Sequence, residues 1–311
     1  MRILFMGTPE FALPSLKILL EHRYEVPGVV TAPDKPRGRG QEVSFTPIKE
    51  LALERHLLVL QPESLKDSEF LAQISSLQVD VIVVVAFRIL PRELFSLPKL
   101  GSFNLHASLL PKYRGAAPIN WAIINGEQES GVTTFLLQEK VDTGNILLQA
   151  RVKIGPDETA GELHDKLADV GAEIVLQTVR LMELGKAHPR SQDSSQASAA
   201  PKIFKEDCKI DWNKSTRRIH NHVRGLSPIP CAWATHAGKQ LKIYRTAVGT
   251  TEIIERNGQA GEIMMIGPGS LLVRTGDGVL SILEIQQEGR RRMKVDDFLR
   301  GYEIAVGDRL E

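Results

Sequence analysis

Short apolar runs at residues 2–6, 26–31, 57–60, 80–86 and 101–106 alternate with stretches at 9–20, 47–56 and 67–76 whose apolar positions recur at helical spacing. Phe11, Leu16, Leu19 and Leu20 carry the helical rhythm in the first of those stretches. The run from Asp80 to Ala86 is almost wholly β-branched, which suits a central parallel strand buried on both faces. Strands alternating with helices predict an α/β fold, an open and mostly parallel sheet covered by helices. A helix at 118–124, strands at 132–137 and 145–152, and a long amphipathic helix over 158–185 complete this half.

The pattern then breaks. Residues 189–201, PRSQDSSQASAAP, hold Ser, Ala, Gln and Pro and nearly no large apolar side chain, a linker composition. Beyond them a short helix near 214–224 precedes strand-like segments at 240–244, 261–266, 271–275 and 279–286, separated by Gly-containing turns. That series predicts a small β-barrel. A chain of 311 residues suits two domains, expected at 1–188 and 206–311 with a connection over 189–205.

Composition narrows the function classes. Charged residues are 25% and hydrophobic ones 42%, ordinary for a globular protein, and the net charge is only +1. RNA binding, if present, must rest on local patches. One is the loop DKPRGRGQ with Lys35, Arg37 and Arg39. A second spans 202–218, where six basic side chains, Lys205 and Lys209 among them, stand against three acidic ones. A third is Arg290, Arg291, Arg292 and Lys294. The plain reading of each is solvated surface. Aromatics at 5% argue against extended base-stacking platforms. Cys208 and Cys231 lack the spacing of a zinc site, so no metal is expected and both read as buried thiols. No apolar stretch reaches membrane-span length, and the N-terminal run is too short for a signal peptide. A cytoplasmic protein is expected.

The densest polar constellation is FNLHASLLP at 103–111. If 103–106 is extended, Asn104 and His106 share one face of the sheet. They stand at the C-terminal end of a strand, where open α/β sheets place their ligand crevice. An imidazole can move a proton while an amide donates to a developing oxyanion. A functional His needs an orienting carboxylate. Asp142, in the turn VDTG at 141–144, is the candidate. Taken singly, each of the three is more often structural.

Several motifs, in order along nearly the whole chain, resemble those of methionyl-tRNA formyltransferases: FMGTPEFA at 5–12, PDKPRGRG at 33–40, NLHASLLP at 104–111, YRGAAPI at 113–119, GVTT at 131–134 and VDTG at 141–144. The stretch 104–144 is the most specific. The resemblance implies a Rossmann-like formyl-transfer domain followed by a C-terminal barrel of OB type. It implies a catalytic trio of Asn104, His106 and Asp142, and a folate-binding segment at Ser108, Leu109, Leu110 and Pro111. The implied donor is 10-formyltetrahydrofolate and the implied acceptor the α-amino group of methionyl initiator tRNA. Lys35, Arg37 and Arg39 match the loop that enters the acceptor end of the tRNA, and Lys205, Lys209 and Arg291 are expected on its backbone. A monomer is expected, since the tRNA must lie across both domains of one chain.

One departure falls in the segment after the central strand. Arg88, Ile89 and Leu90 are expected to line the pterin pocket, but Arg88 stands where the family usually has Gly. Two readings of Arg88 are open: contact with the folate tail's carboxylates, or solvent. Among rivals, a sugar-nucleotide formyltransferase would keep the trio and change the acceptor; the basic loop at 34–40 favours tRNA. A nicotinamide-dependent oxidoreductase is disfavoured, because GTPEFA at 7–12 lacks G-x-G-x-x-G. A non-catalytic RNA-binding protein would leave the trio without a use.

Overall fold

A computed structural model describes residues 1–37, 42–249 and 258–311, with side chains at 36, 37, 42 and 43 set aside. The first elements are β1 (Arg2–Gly7), α1 (Leu13–Glu21), β2 (Glu25–Val30), β3 (Lys35–Arg37), β4 (Glu42–Ser44), α2 (Pro47–Glu54) and β5 (Val59–Leu60). Next come α3 (Ser68–Ser76), β6 (Val81–Val85), α4 (Arg92–Phe95), β7 (Ser102–His106), β8 (Arg114–Gly115) and α5 (Pro118–Ile124). Then follow β9 (Glu129–Leu136), β10 (Ile146–Lys153), α6 (Ala160–Glu183), β11 (Ala199–Ala200) and α7 (Thr216–Leu226). The chain closes with β12 (Ala232–His236), β13 (Lys239–Val248), β14 (Ile263–Gly267), β15 (Ser270–Arg274), β16 (Val279–Gln287), β17 (Met293–Lys294) and α8 (Val295–Leu299).

These elements form two compact units. The first holds Met1–Gly115, Ser130–Val152 and His164–Ala200. Its sheet runs β10-β9-β7-β6-β1-β2-β5. Strands β5, β2, β1, β6 and β7 are parallel, and β9 joins β7 antiparallel. The apolar runs explain the centre: Ile3, Leu4, Phe5 and Met6 of β1 are fully buried, as are Ile82 and Val83 of β6. Each such side chain contributes roughly 1.5–3 kcal/mol of burial. Helix starts follow local chemistry. Thr46 caps α2 by accepting from Lys49 N at 3.1 Å, with Pro47 at the first helical position. Asp67 caps α3 through Phe70 N. The long helix begins at Ala160 because Thr159 and Glu162 form a reciprocal capping box, Thr159 N to Glu162 Oε2 at 2.8 Å and Glu162 N to Thr159 Oγ1 at 3.3 Å.

Residues 190–200, linker-like in composition, are bonded into this first unit. Arg190 and Ile146 exchange two backbone hydrogen bonds, and β11 pairs with β8 in parallel. A segment of small and polar residues builds no core, yet its backbone serves as well as any other for pairing.

The second unit holds Ala116–Glu129, Lys153–Leu163 and Pro201–Glu311. Two stretches of the expected first domain therefore belong to it. Its antiparallel sheet runs β12-β13-β16-β15-β14, with β17 on β16. The last residues bridge the two edges. Thr235 of β12 and Glu311 exchange two backbone bonds, while Ile263 N of β14 donates to Asp308 O and Leu310 N to Gly261 O. That tail closes the circuit of the expected barrel. Ile219, Val223 and Leu226 of α7 fill it together with Trp212, Leu241 and Ile282.

Candidate active site

The site is built where β7 ends and the loops after it return. Asn104 pairs in register with Val84 and Phe135, and His106 with Thr133, so the two side chains share a face two residues apart. Asn104 is half-buried; His106 is buried, its side chain only 7% exposed. The imidazole Nε2 lies 2.8 Å from the Tyr113 carbonyl. A carbonyl only accepts, so this nitrogen carries a hydrogen. The other nitrogen, Nδ1, faces Asp142 Oδ2 at 3.9 Å. That separation suits an ion pair and is too long for a hydrogen bond. The same Oδ2 accepts from Gly115 N at 2.9 Å.

Asp142 occupies a left-handed backbone conformation with φ +56°. Asp is among the few residues that adopt it readily. Two positions on, a Cβ at Gly144 would stand 1.6 Å from the Leu136 carbonyl oxygen, so only glycine lets this turn close against β9. The turn VDTG thus has a use for both its Asp and its Gly. The three candidate catalytic residues come together: His106 lies between Tyr113 and Asp142, and Asn104 is beside it on the strand.

The segment Ser108–Pro111 is a tight turn rather than a row of outward side chains. Ser108 is fully buried and donates to Lys112 O, and Leu110 is 3% exposed. Thr133 Oγ1 donates to Ser108 O at 2.6 Å and accepts from Leu110 N at 3.1 Å, while Gln149 donates to Leu110 O. Leu109 and Pro111 are half-buried, leaving them and the backbone as the groups this segment offers a ligand.

After β6 the chain turns at Ala86, φ +48°. Arg88, half-buried, is tied to the chain that follows β5. Its guanidinium donates to Pro62 O at 2.8 Å and Glu63 O at 3.0 Å and lies over the Phe87 ring. Leu90 is buried, and Ile89 is 74% exposed. Just beyond, an open surface cavity is lined by Arg92, Phe95, Leu137, Lys140 and Thr143, the last next in sequence to Asp142. Arg92 is paired with Glu139 at 3.0 Å.

The basic candidates divide. Lys35 is exposed on β3. Arg37 belongs to the same strand, and Arg39 lies outside the described residues. In the second unit Lys205, Lys209 and Arg291 are all exposed. Aromatic rings accompany the cations there: Lys209 lies over Trp233, Lys202 over the exposed Phe204, and Arg292 over Tyr244. Trp233 Nε1 donates to Lys205 O at 3.0 Å. Among the described residues no group of His, Cys, Asp or Glu side chains is disposed to hold a metal ion. No described helix is long and apolar enough to cross a membrane.

Two family descriptions match the chain, formyl transferase over residues 1–179 and formyl transferase C-terminal domain over 202–303. A methionyl-tRNA formyltransferase of Caldanaerobacter subterraneus subsp. tengcongensis is 50% identical over 311 residues, covering 99% of each chain. More distant solved structures share the fold. HypX from Aquifex aeolicus in complex with tetrahydrofolic acid superposes with a TM-score of 0.65 at 20% identity over 99% of this chain, which spans 50% of HypX. An N-formyltransferase from Helicobacter canadensis, in complex with folinic acid and dTDP-3-aminofucose, gives 0.67 at 22% identity over 92% of this chain and 98% of its own. Full-length identity at that level, together with two family matches that cover both halves, establishes that the chain belongs to the methionyl-tRNA formyltransferase family.

Proposed function

We propose that the chain transfers the formyl group of 10-formyltetrahydrofolate to the α-amino group of methionyl initiator tRNA. The observation that carries this reading at the site is the convergence of Asn104, His106 and Asp142 at the end of β7. In the reaction the neutral amine attacks the formyl carbon and the carbonyl oxygen gains negative charge. The bond from that carbon to the folate nitrogen then breaks, and the proton lost by the amine is returned to the departing nitrogen. Asn104 donates to the developing oxyanion, and His106, steered by Asp142, donates or relays the proton. Nε2 of His106 is engaged with the Tyr113 carbonyl, while Nδ1, 3.9 Å from Asp142, makes no hydrogen bond to it.

The folate donor is assigned to the cavity beside the 141–144 turn. Phe95 and Leu137 offer an apolar wall to a flat ring, and Lys140 offers a cation to an anionic tail. Ile89 and Leu90 adjoin this region in sequence, and Leu109 and Pro111 are assigned to the donor on the family resemblance. For the acceptor, exposed Lys205, Lys209 and Arg291 suit phosphate contacts, and the exposed Phe204 ring suits stacking with an unpaired base. A cytoplasmic monomer fits this reading.

The test is formyl transfer from 10-formyltetrahydrofolate to methionyl initiator tRNA, run beside a sugar-nucleotide amine. Transfer to the tRNA alone is expected. Transfer to the sugar alone would keep the trio and discard the RNA assignment.

A further inference from the structure

The segment that looks like a spacer grips both neighbours of the catalytic imidazole. On the Nδ1 side, the Gln192 amide donates to Asp142 O at 2.9 Å and to Gly144 O at 2.7 Å. Its carbonyl oxygen accepts from Arg114 Nη2 at 2.6 Å and Nε at 3.2 Å. Both amide hydrogens are used, and the oxygen receives both prongs of a guanidinium. The chemistry of the partners fixes which end is which, since two carbonyls need a donor and a guanidinium needs an acceptor.

On the Nε2 side, Ser198 Oγ accepts from Tyr113 N at 2.9 Å, and Ser198 O accepts from Arg114 N at 2.9 Å. Tyr113 has φ +61°, a conformation an aromatic residue does not hold without support. Its carbonyl is the one that meets His106. Two residues later, a Cβ on Gly115 would lie 2.6 Å from Ala200 O, so β11 packs directly on the backbone whose N–H holds the Asp142 carboxylate.

We propose that Gln192 is part of the active site, as the positioning residue for Asp142. It does not touch the reacting atoms. Gln192 fixes the turn from which Asp142 reaches toward His106, and without it the carboxylate loses its aim while the substrates still bind. This inference rests on the catalytic-trio reading.

The experiment uses the full-length enzyme and the transfer assay above, with Gln192→Ala, Gln192→Glu, Asp142→Asn and the Gln192→Ala/Asp142→Asn double variant. Gln192→Glu still accepts from Arg114 but cannot donate to the turn, so it separates aim from simple loss of packing. Both Gln192 variants are expected to lower kcat about 10- to 100-fold, as small misplacements near a reacting centre do, with KM for each substrate within about twofold. In the double variant the loss from Gln192→Ala should vanish, since no carboxylate remains to be aimed. Wild-type kcat in Gln192→Ala would overturn the inference. So would full multiplication of the two losses, or a loss that only follows a fall in Tm. If Asp142→Asn itself runs at the wild-type rate, the trio reading fails and takes the inference with it.

Discussion

Around His106 the polar groups of the first unit are turned inward and bound to one another: imidazole to carbonyl, carboxylate to backbone N–H, amide to two carbonyls and a guanidinium. On the second unit Lys205, Lys209 and Arg291 stand out in solvent, and Lys202, Lys209 and Arg292 rest on aromatic faces. The first arrangement fixes geometry and tolerates almost no displacement. The second leaves charge free to meet a polyanion and gains its effect from number rather than aim. Damage to the first should therefore appear in turnover, and damage to the second in acceptor affinity and its salt dependence.

The largest effects test the first half of that contrast. Asn104→Ala and His106→Ala are expected to lower kcat by at least ~10²–10³ with little change in Tm, measured by single-turnover formyl transfer and thermal unfolding. Equal losses in KM and none in kcat would break the contrast. Gly144→Ala comes next. A methyl group there meets the Leu136 carbonyl, so the Asp142 turn must shift. A destabilisation of about 1–3 kcal/mol is expected by denaturant melting, with kcat falling alongside.

Alanine at Lys205, Lys209 and Arg291 should raise KM for tRNA several-fold and spare kcat. Each charge removed should also flatten the slope of log affinity against log salt by about one. An unchanged slope would remove these residues from the tRNA surface.

The smallest effect concerns stability of the second unit. Burial holds His220 and His222 below the ordinary histidine range, so the folded chain refuses protons that the unfolded chain accepts. The hydrogen bond to the Pro156 carbonyl and then Asp157, 3.2 Å from His220, oppose that only in part. Stability from the neutral rings is complete above the unfolded value near 6.5 and declines as pH falls below it. Tm should drop by a few degrees between roughly pH 7 and 5, and His220→Gln with His222→Gln should flatten the drop.

The alternating rhythms located every strand of the first sheet to within a few residues, because burial on two faces leaves no freedom in composition at β1 and β6. Asn104 and His106 were legible as a pair because a strand repeats every two residues, and Asp142 as a candidate because a functional His needs an orienting carboxylate and the family resemblance points to the same residue. Gln192 was not legible. Its four hydrogen bonds join residues brought together only by the fold, and a polar side chain among serines and alanines has no periodicity to betray it. For the same reason the 189–201 composition suggested a spacer where the backbone is paired. The hydrogen bonds from Arg88 to the carbonyls of Pro62 and Glu63 were likewise hidden, since they join segments that only the fold brings together. The placement of Ala116–Glu129 and Lys153–Leu163 in the second unit was equally hidden, since only tertiary packing sorts segments between cores.

The tail that joins β12 to β14 has a practical side. Its backbone occupies hydrogen-bonding groups that would otherwise line two open sheet edges. A chain shortened by its last four residues would present those edges as templates for strand addition by other copies, a route to aggregation during expression. For the same reason a fusion partner at this end belongs behind a flexible spacer, leaving Asp308–Glu311 in register.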